Sequence, residues 1–325
     1  MHDPDLIHPM SKISIIAPVF NEEAVVSQYI EEVTRIMDSS GYDYELIIID
    51  DGSTDNTLEI ASKYAKKHEK IKIIVFSRNY GHEFALTAGI DHCQGDYAIT
   101  MDTDLQHPPE LIPKLIAMAE EGYDIVNAKR KSRDNESWLK RKTANAFYSF
   151  ASKMTGFKLD SKVGNYKIIN KRVINSLRQM KENSRHLLML FEYVGFNATS
   201  IPYECKERAA GDSKYSYRKL FNLAIDSIIS FSHRPLRYMS LLSIFISIIL
   251  TCYAGFIVLQ KLFYDQQLAE GIASIIFITS GLFAILFLFL AVISEYISRI
   301  LVESKSRPLY YIRNIIQFDE NDKSI

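Results

Sequence analysis

Between Lys12 and Lys129 the chain alternates short β-branched runs with stretches whose apolar residues recur at helical spacing. The runs are Ile13 to Pro18, Glu45 to Asp50, Ile71 to Phe76, Tyr97 to Met101 and Ile125 to Ala128. A helix is expected over Glu22 to Asp38, and Ser53-Thr54-Asp55 supplies caps ahead of a second over Leu58 to Tyr64. Strands and helices in alternation imply an α/β fold with a mostly parallel sheet.

The pattern changes after residue 235. From Met239 to Leu259 and from Ile272 to Ile293 no acidic or basic side chain occurs, and runs of about twenty such residues are long enough to span a bilayer as helices. Between them, Gln260 to Gly271 carries one Lys against Asp265 and Glu270, whereas Arg234, Arg237, Arg299, Lys305, Arg307 and Arg313 lie outside the pair. The positive-inside rule then puts both termini in the cytoplasm. Tyr215 to Tyr238 mixes Leu220, Leu223, Ile225, Ile228, Ile229 and Phe231 with Arg218, Lys219, His233 and Arg234, which predicts a helix lying on the membrane surface. Met1 to Met10 is polar and does not read as a signal peptide.

Composition narrows the function. With 325 residues, 47% hydrophobic content and a net charge of −1, the chain lacks the general basicity of a nucleic-acid binder. Its three cysteines, Cys93, Cys205 and Cys252, have no metal-type spacing.

Polar clusters stand where the apolar strands end: Pro18-Val-Phe-Asn-Glu22, Asp50-Asp-Gly-Ser-Thr-Asp55, Arg78-Asn79 and Asp102-Thr-Asp104. Open parallel sheets bind ligands at that edge. A diphosphate leaving group needs a hard divalent cation, which takes a few carboxylates plus substrate oxygens. Asp104 and the amide oxygen of Gln106 suit that task; alternatively, Asp-x-Asp only ends a strand and caps the helix near Pro109.

Together, Pro18-x-x-Asn-Glu22, Asp50-Asp-Gly-Ser-x-Asp55, Arg78-Asn-x-Gly81 with Ala85 and Gly89, and Asp102-x-Asp-x-Gln106 resemble family 2 glycosyltransferases of GT-A fold, over roughly residues 12 to 230. Arg208-x-x-Gly211-x-Ser-Lys-Tyr215, ahead of the apolar pair, makes the chain most similar to polyprenyl-phosphate glycosyltransferases: the dolichol-phosphate mannose synthases and bactoprenol glucosyltransferases. Processive synthases are disfavoured, since the only tryptophan, Trp138, stands outside any Gln-x-x-Arg-Trp motif.

The resemblance implies a GT-A nucleotide-sugar-binding domain with a mostly parallel sheet, followed by a juxtamembrane helix and two transmembrane helices. The corresponding limits are a tail over 1–11, the catalytic domain over 12–214, the interface helix over 215–238, the hairpin over 239–300 and a cytoplasmic tail over 301–325. It implies that Asp50 and Asp51 meet base and ribose, with Pro18, Phe20 and Glu22 as the pocket wall. Asp102 would sit by ribose and metal, Asp104 and Gln106 would hold Mg2+ or Mn2+, and Arg208 and Lys214 would reach the diphosphate. In the basic group Lys129, Arg130, Lys131, Arg133, Lys140, Arg141 and Lys142, the forks of Arg130 and Arg141 suit a lipid phosphate; general attraction to anionic lipid competes with that reading.

The implied reaction is inverting transfer of one sugar, first choice UDP-glucose, from a nucleotide sugar to a polyprenyl phosphate at the cytoplasmic face of an inner or plasma membrane. A phosphomonoester is largely dianionic at neutral pH and needs no strong general base, although a cleft carboxylate serving as one stays open. His82 and His107 read as structural. Val163-Gly-Asn-Tyr-Lys-Ile168 stands for a Ser-Gly-Phe-Arg-like motif with Lys167 in place of arginine, leaving Asp160 and Asn165 as possible sugar contacts. Transfer to another lipid or protein acceptor, and a non-catalytic membrane scaffold or transporter, remain as alternatives, and a homo-oligomer is possible.

Overall fold

The computed structural model describes residues 11–131, 149, 152–157, 160, 162–183, 185–204, 234–264 and 271–318. Four strands form the parallel centre of one sheet: β1 (Ile13–Val19), β2 (Tyr44–Asp50), β3 (Ile71–Phe76) and β4 (Tyr97–Thr100). Adding β5 (Ile125–Arg130), β6 (Val163–Asn170), β7 (Ala198–Tyr203) and β8 (Ile312–Gln317) gives the order β7-β5-β6-β4-β1-β2-β3-β8. β6 runs antiparallel between β4 and β5, and β8 is antiparallel to β3.

The sheet is buried on both faces, which is why its central strands are almost wholly apolar. Successive side chains go to opposite cores. Ile13, Ile15, Leu46, Ile48, Ile73 and Ile99 join a cluster with α1 (Val26–Ser40) and α2 (Thr57–Ala65). Ile16, Ile47, Ile49, Ile74 and Ala98 join another with α3 (His82–His92), α5 (Lys171–Gln179) and α6 (Leu187–Val194). On α3, a β-carbon at Gly89 would lie 2.1 Å from Ile16 Cγ2, so the helix reaches its depth on the sheet only with glycine there. A 3-10 turn at Pro109–Leu111 leads into α4 (Ile112–Glu120).

Two boundaries differ from expectation. α1 begins at Val26 rather than Glu22: Asn21 takes a left-handed φ of 54°, the Glu22 and Glu23 N–H groups donate to Thr57 and Asp55, and Glu22 O accepts from the N–H groups of Val25 and Val26 in a turn that leads into the helix. β8 lies within the segment expected as a cytoplasmic tail and completes the edge of the sheet beside β3.

Between α6 and β8, α7 (Arg234–Tyr264) and α8 (Ile272–Ser304) carry the two apolar runs. Among the described residues, Gly281–Ser304 is long and apolar enough to cross a membrane. Its large side chains are open to the surroundings, Phe287 at 65% and Ile300 at 67%, unlike those of a core helix. The interface-helix region 215–233 lies outside the described residues.

Candidate active site

The ends of β1 and β2 are laced together before any ligand is considered. Asn21 N–H donates to Ser53 Oγ at 3.1 Å, Thr54 N–H to Asn21 Oδ1 at 2.8 Å, and Asn56 N–H to Glu23 Oε2 at 3.0 Å. Asp55 Oδ1 accepts from the N–H and hydroxyl of Thr57, capping α2 from the same loop. The Pro18-to-Glu22 wall and the Asp50-Asp51 loop are therefore one body, with Pro18 buried and Phe20 and Glu22 half-buried.

Asp50 and Asp51 are both buried, and burial pushes both carboxyls above the usual range. For Asp51 this is opposed by the N–H groups of Tyr80 and Gly81, which donate to its two oxygens at 2.7 and 2.9 Å. The loop after β3 thus hangs from the acid after β2. Gly52 makes their approach possible: its φ is +73°, and a β-carbon would sit 2.6 Å from the carbonyl carbon of Arg78. Arg78 and Asn79 are exposed at the rim, with the Arg78 guanidinium over the Tyr80 ring at 4.0 Å.

The loop after β4 folds back on itself. Leu105 is left-handed at φ 58°, and Gln106 N–H donates to Asp104 Oδ1 at 3.1 Å. Thr103 donates to Pro18 O at 3.3 Å, tying this loop to the β1 wall. Asp102, Asp104 and Gln106 are all half-buried. Asp102 N–H donates to His107 Nδ1 at 3.0 Å, so that nitrogen bears no proton and its 3.8 Å approach to Asp102 Oδ2 is not an ion pair. Burial lowers the His107 pKa, consistent with a neutral ring, and the ring stacks on Tyr166 at 4.9 Å.

His82, expected to be structural, reaches the cleft from the start of α3. Its Nε2 lies 3.3 Å from Asp102 Oδ1 and 3.0 Å from the side-chain amide of Asn165, 83 residues away. The structure brings Asn165 to the cleft through the β4–β6 pairing, in which Thr100 opposes Lys167. Lys167 itself is buried, its Nζ 4.0 Å from the Phe191 ring centroid. Burial pushes its pKa down to about 8, against the charges of Glu192 and Glu83.

On the far side, Arg130 Nε donates to the Tyr203 hydroxyl at 3.2 Å, and Tyr203 lies edge-on to His107 at 6.2 Å. Arg130 therefore faces the site, whereas Lys129 and Lys131 are ion-paired with Asp160 at 2.7 Å and Glu204 at 2.9 Å. Asp160 is thus engaged at that rim. Arg141, Arg208 and Lys214 lie outside the described residues.

The donor set fits a hard cation. Two carboxylates and one amide oxygen in a single loop suit Mg2+ or Mn2+ when substrate oxygens complete the shell. Among the described residues no group of three or more His, Cys, Asp and Glu is placed to hold a metal ion by itself.

A parallel β3-β2-β1-β4 centre with acidic loops along its carboxyl edge is common to doubly wound nucleotide-binding folds, and its family match and structural neighbour make it a GT-A fold. The chain belongs to glycosyl transferase family 2, whose model matches residues 14–178. It is 38% identical over 300 residues to an uncharacterized glycosyltransferase, YkcC, of Bacillus subtilis, covering 92% of this chain and 93% of the relative. It is 35% identical over 303 residues to the bactoprenol glucosyl transferase of Shigella phage SfV, covering 93% and 98%. In fold it is similar to glucosyl-3-phosphoglycerate synthase from Mycobacterium tuberculosis, with a TM-score of 0.53, 18% identity, and 68% and 80% of the two chains covered.

Proposed function

We propose that this protein transfers one sugar, with inversion, from a nucleotide sugar to a polyprenyl phosphate at the cytoplasmic face of a membrane, with UDP-glucose the preferred donor. The observation that carries the reading is the gathering of Asp50, Asp51, Asp102 and Asp104 on one sheet edge of a chain that also has an exposed, membrane-length apolar helix. Similarity along almost the whole chain to bactoprenol glucosyl transferases supports the lipid acceptor.

In this reading Asp50 and Asp51 hold base and ribose against Pro18, Phe20 and Glu22. Asp102 stands by the ribose, and Asp104 and Gln106 would hold Mg2+ or Mn2+. A cation bound there supplies charge neutralisation for the departing diphosphate. Arg208 and Lys214 add to it from the later loop, and Arg130 with Arg141 receives the acceptor phosphate. That phosphate is already anionic, so positioning and charge neutralisation carry the catalysis. Both runs, within α7 and α8, span the bilayer as a hairpin over 239–300, with 215–238 on its surface and both termini in the cytoplasm. This keeps the cleft at the headgroups.

The test is mass spectrometry of lipid products after incubating the full-length protein with undecaprenyl phosphate, Mg2+ or Mn2+, and a panel of UDP- and GDP-sugars. One hexose per lipid is expected, with a loss on the order of 100-fold or more in Asp104→Ala. No product from any donor, with nucleotide and lipid still bound, would reject the reading.

A further inference from the structure

We infer that His82 is a positioning residue for the metal-diphosphate site, holding the Asp102 carboxylate in place and linking it to the nucleotide-binding loop. This rests on the transferase reading above and adds to it a residue outside the strand-end carboxylates.

The geometry begins at Asp51, whose carboxylate takes the N–H groups of Tyr80 and Gly81. Those two residues immediately precede His82, so the backbone that carries the imidazole is held by the acid assigned to the nucleotide. From the first turn of α3 the ring reaches Asp102 Oδ1 at 3.3 Å and the Asn165 amide at 3.0 Å. An unprotonated Nε2 would set its lone pair against the carboxylate, so Nε2 carries the proton. A half-turn of the Asn165 amide exchanges its nitrogen and oxygen with little movement and presents the oxygen as a second acceptor.

Asp102 is then held from two sides by different atoms. Its backbone N–H is fixed on the neutral His107 Nδ1, and its side chain is oriented by His82. A carboxylate that must meet ribose and cation in one rotamer gains from such support, because a close polar contact at 3.3 Å restrains it from swinging away. The same contact joins β2, the β3 exit, the β4 exit and β6, so movement of the nucleotide loop is felt at the metal loop.

The experiment measures Mn2+ binding by electron paramagnetic resonance on full-length protein in detergent, with UDP or GDP present. Wild type is compared with His82→Ala, His82→Gln and Asp104→Ala, and nucleotide affinity without metal and steady-state kinetics are recorded alongside. His82→Ala is expected to weaken Mn2+ binding and lower kcat by about 10-fold or more, with metal-free nucleotide affinity nearly unchanged. His82→Gln, which retains an N–H donor, is expected to recover part of both. If His82→Ala fails to hold its fold by thermal melting, His82→Phe replaces it, keeping ring bulk without a donor.

Wild-type Mn2+ affinity and kcat in the donor-less variant, with Mn2+ lost in Asp104→Ala, would overturn the positioning role alone. Wild-type Mn2+ affinity in Asp104→Ala as well would overturn the metal reading and this inference with it.

Discussion

Tyr310 stacks on Phe76 of β3 with ring centroids 5.1 Å apart and planes 18° from parallel, and its hydroxyl donates to Asp91 Oδ2 at 2.9 Å. The segment after the long apolar α8 is thereby joined to β3 and α3. Ser77 N–H donates to Tyr311 O and the Arg313 guanidinium to Ser77 O, so the β3 exit is braced from the far end of the chain.

Tyr310→Ala should therefore destabilise the catalytic domain by about 2 kcal/mol, the scale of losing a partly buried aromatic and its hydrogen bond. Thermal melting of full-length protein reads this. An unchanged midpoint would mean that the Tyr310 contacts with Phe76 and Asp91 do not brace the β3 exit.

At Gly52 the left-handed backbone and the 2.6 Å approach to Arg78 act together. Replacement by alanine should cost more than about 2 kcal/mol, since φ strain of about 1–2 kcal/mol adds to a backbone clash. Calorimetric titration with UDP and GDP should also show weakened binding, and wild-type affinity with wild-type stability would contradict the loop geometry described.

Asp51→Ala leaves the Tyr80 and Gly81 N–H groups without their acceptor. A stability loss of about 1–3 kcal/mol is expected, with nucleotide binding weakened. Asn in its place can accept only one of the two bonds and should fall between, which a three-way comparison of melting midpoints checks.

Lys167 makes stability depend on pH. Its folded pKa, about 8, is below the unfolded value for lysine, so between those values the unfolded chain binds more protons and stability rises with pH. The burial penalty is full below pH 8 and is relieved above it, a span of up to about 3 kcal/mol. Denaturant titrations of wild type and Lys167→Met from pH 7 to pH 10 should show the difference moving toward wild type; a flat difference would mean the ammonium is not titrating in its buried site.

Local pattern carried the central strands and the acidic strand ends in the sequence, because a strand buried on both faces must be apolar along its length and its polar residues collect where it leaves the sheet. The same logic marked Asp50, Asp51, Asp102 and Asp104, and the lack of charged side chains marked the runs Met239 to Leu259 and Ile272 to Ile293, the second of which overlaps the membrane-length span Gly281–Ser304. Periodicity names faces but not partners. Only the tertiary structure inserted β6 antiparallel between β4 and β5, brought Asn165 and His82 together across 83 residues, and returned β8 to the edge of β3. Those contacts arise from strand pairing between distant segments, whose hydrogen bonds are made by backbone that every residue carries, and so leave little mark on the side chains that make them.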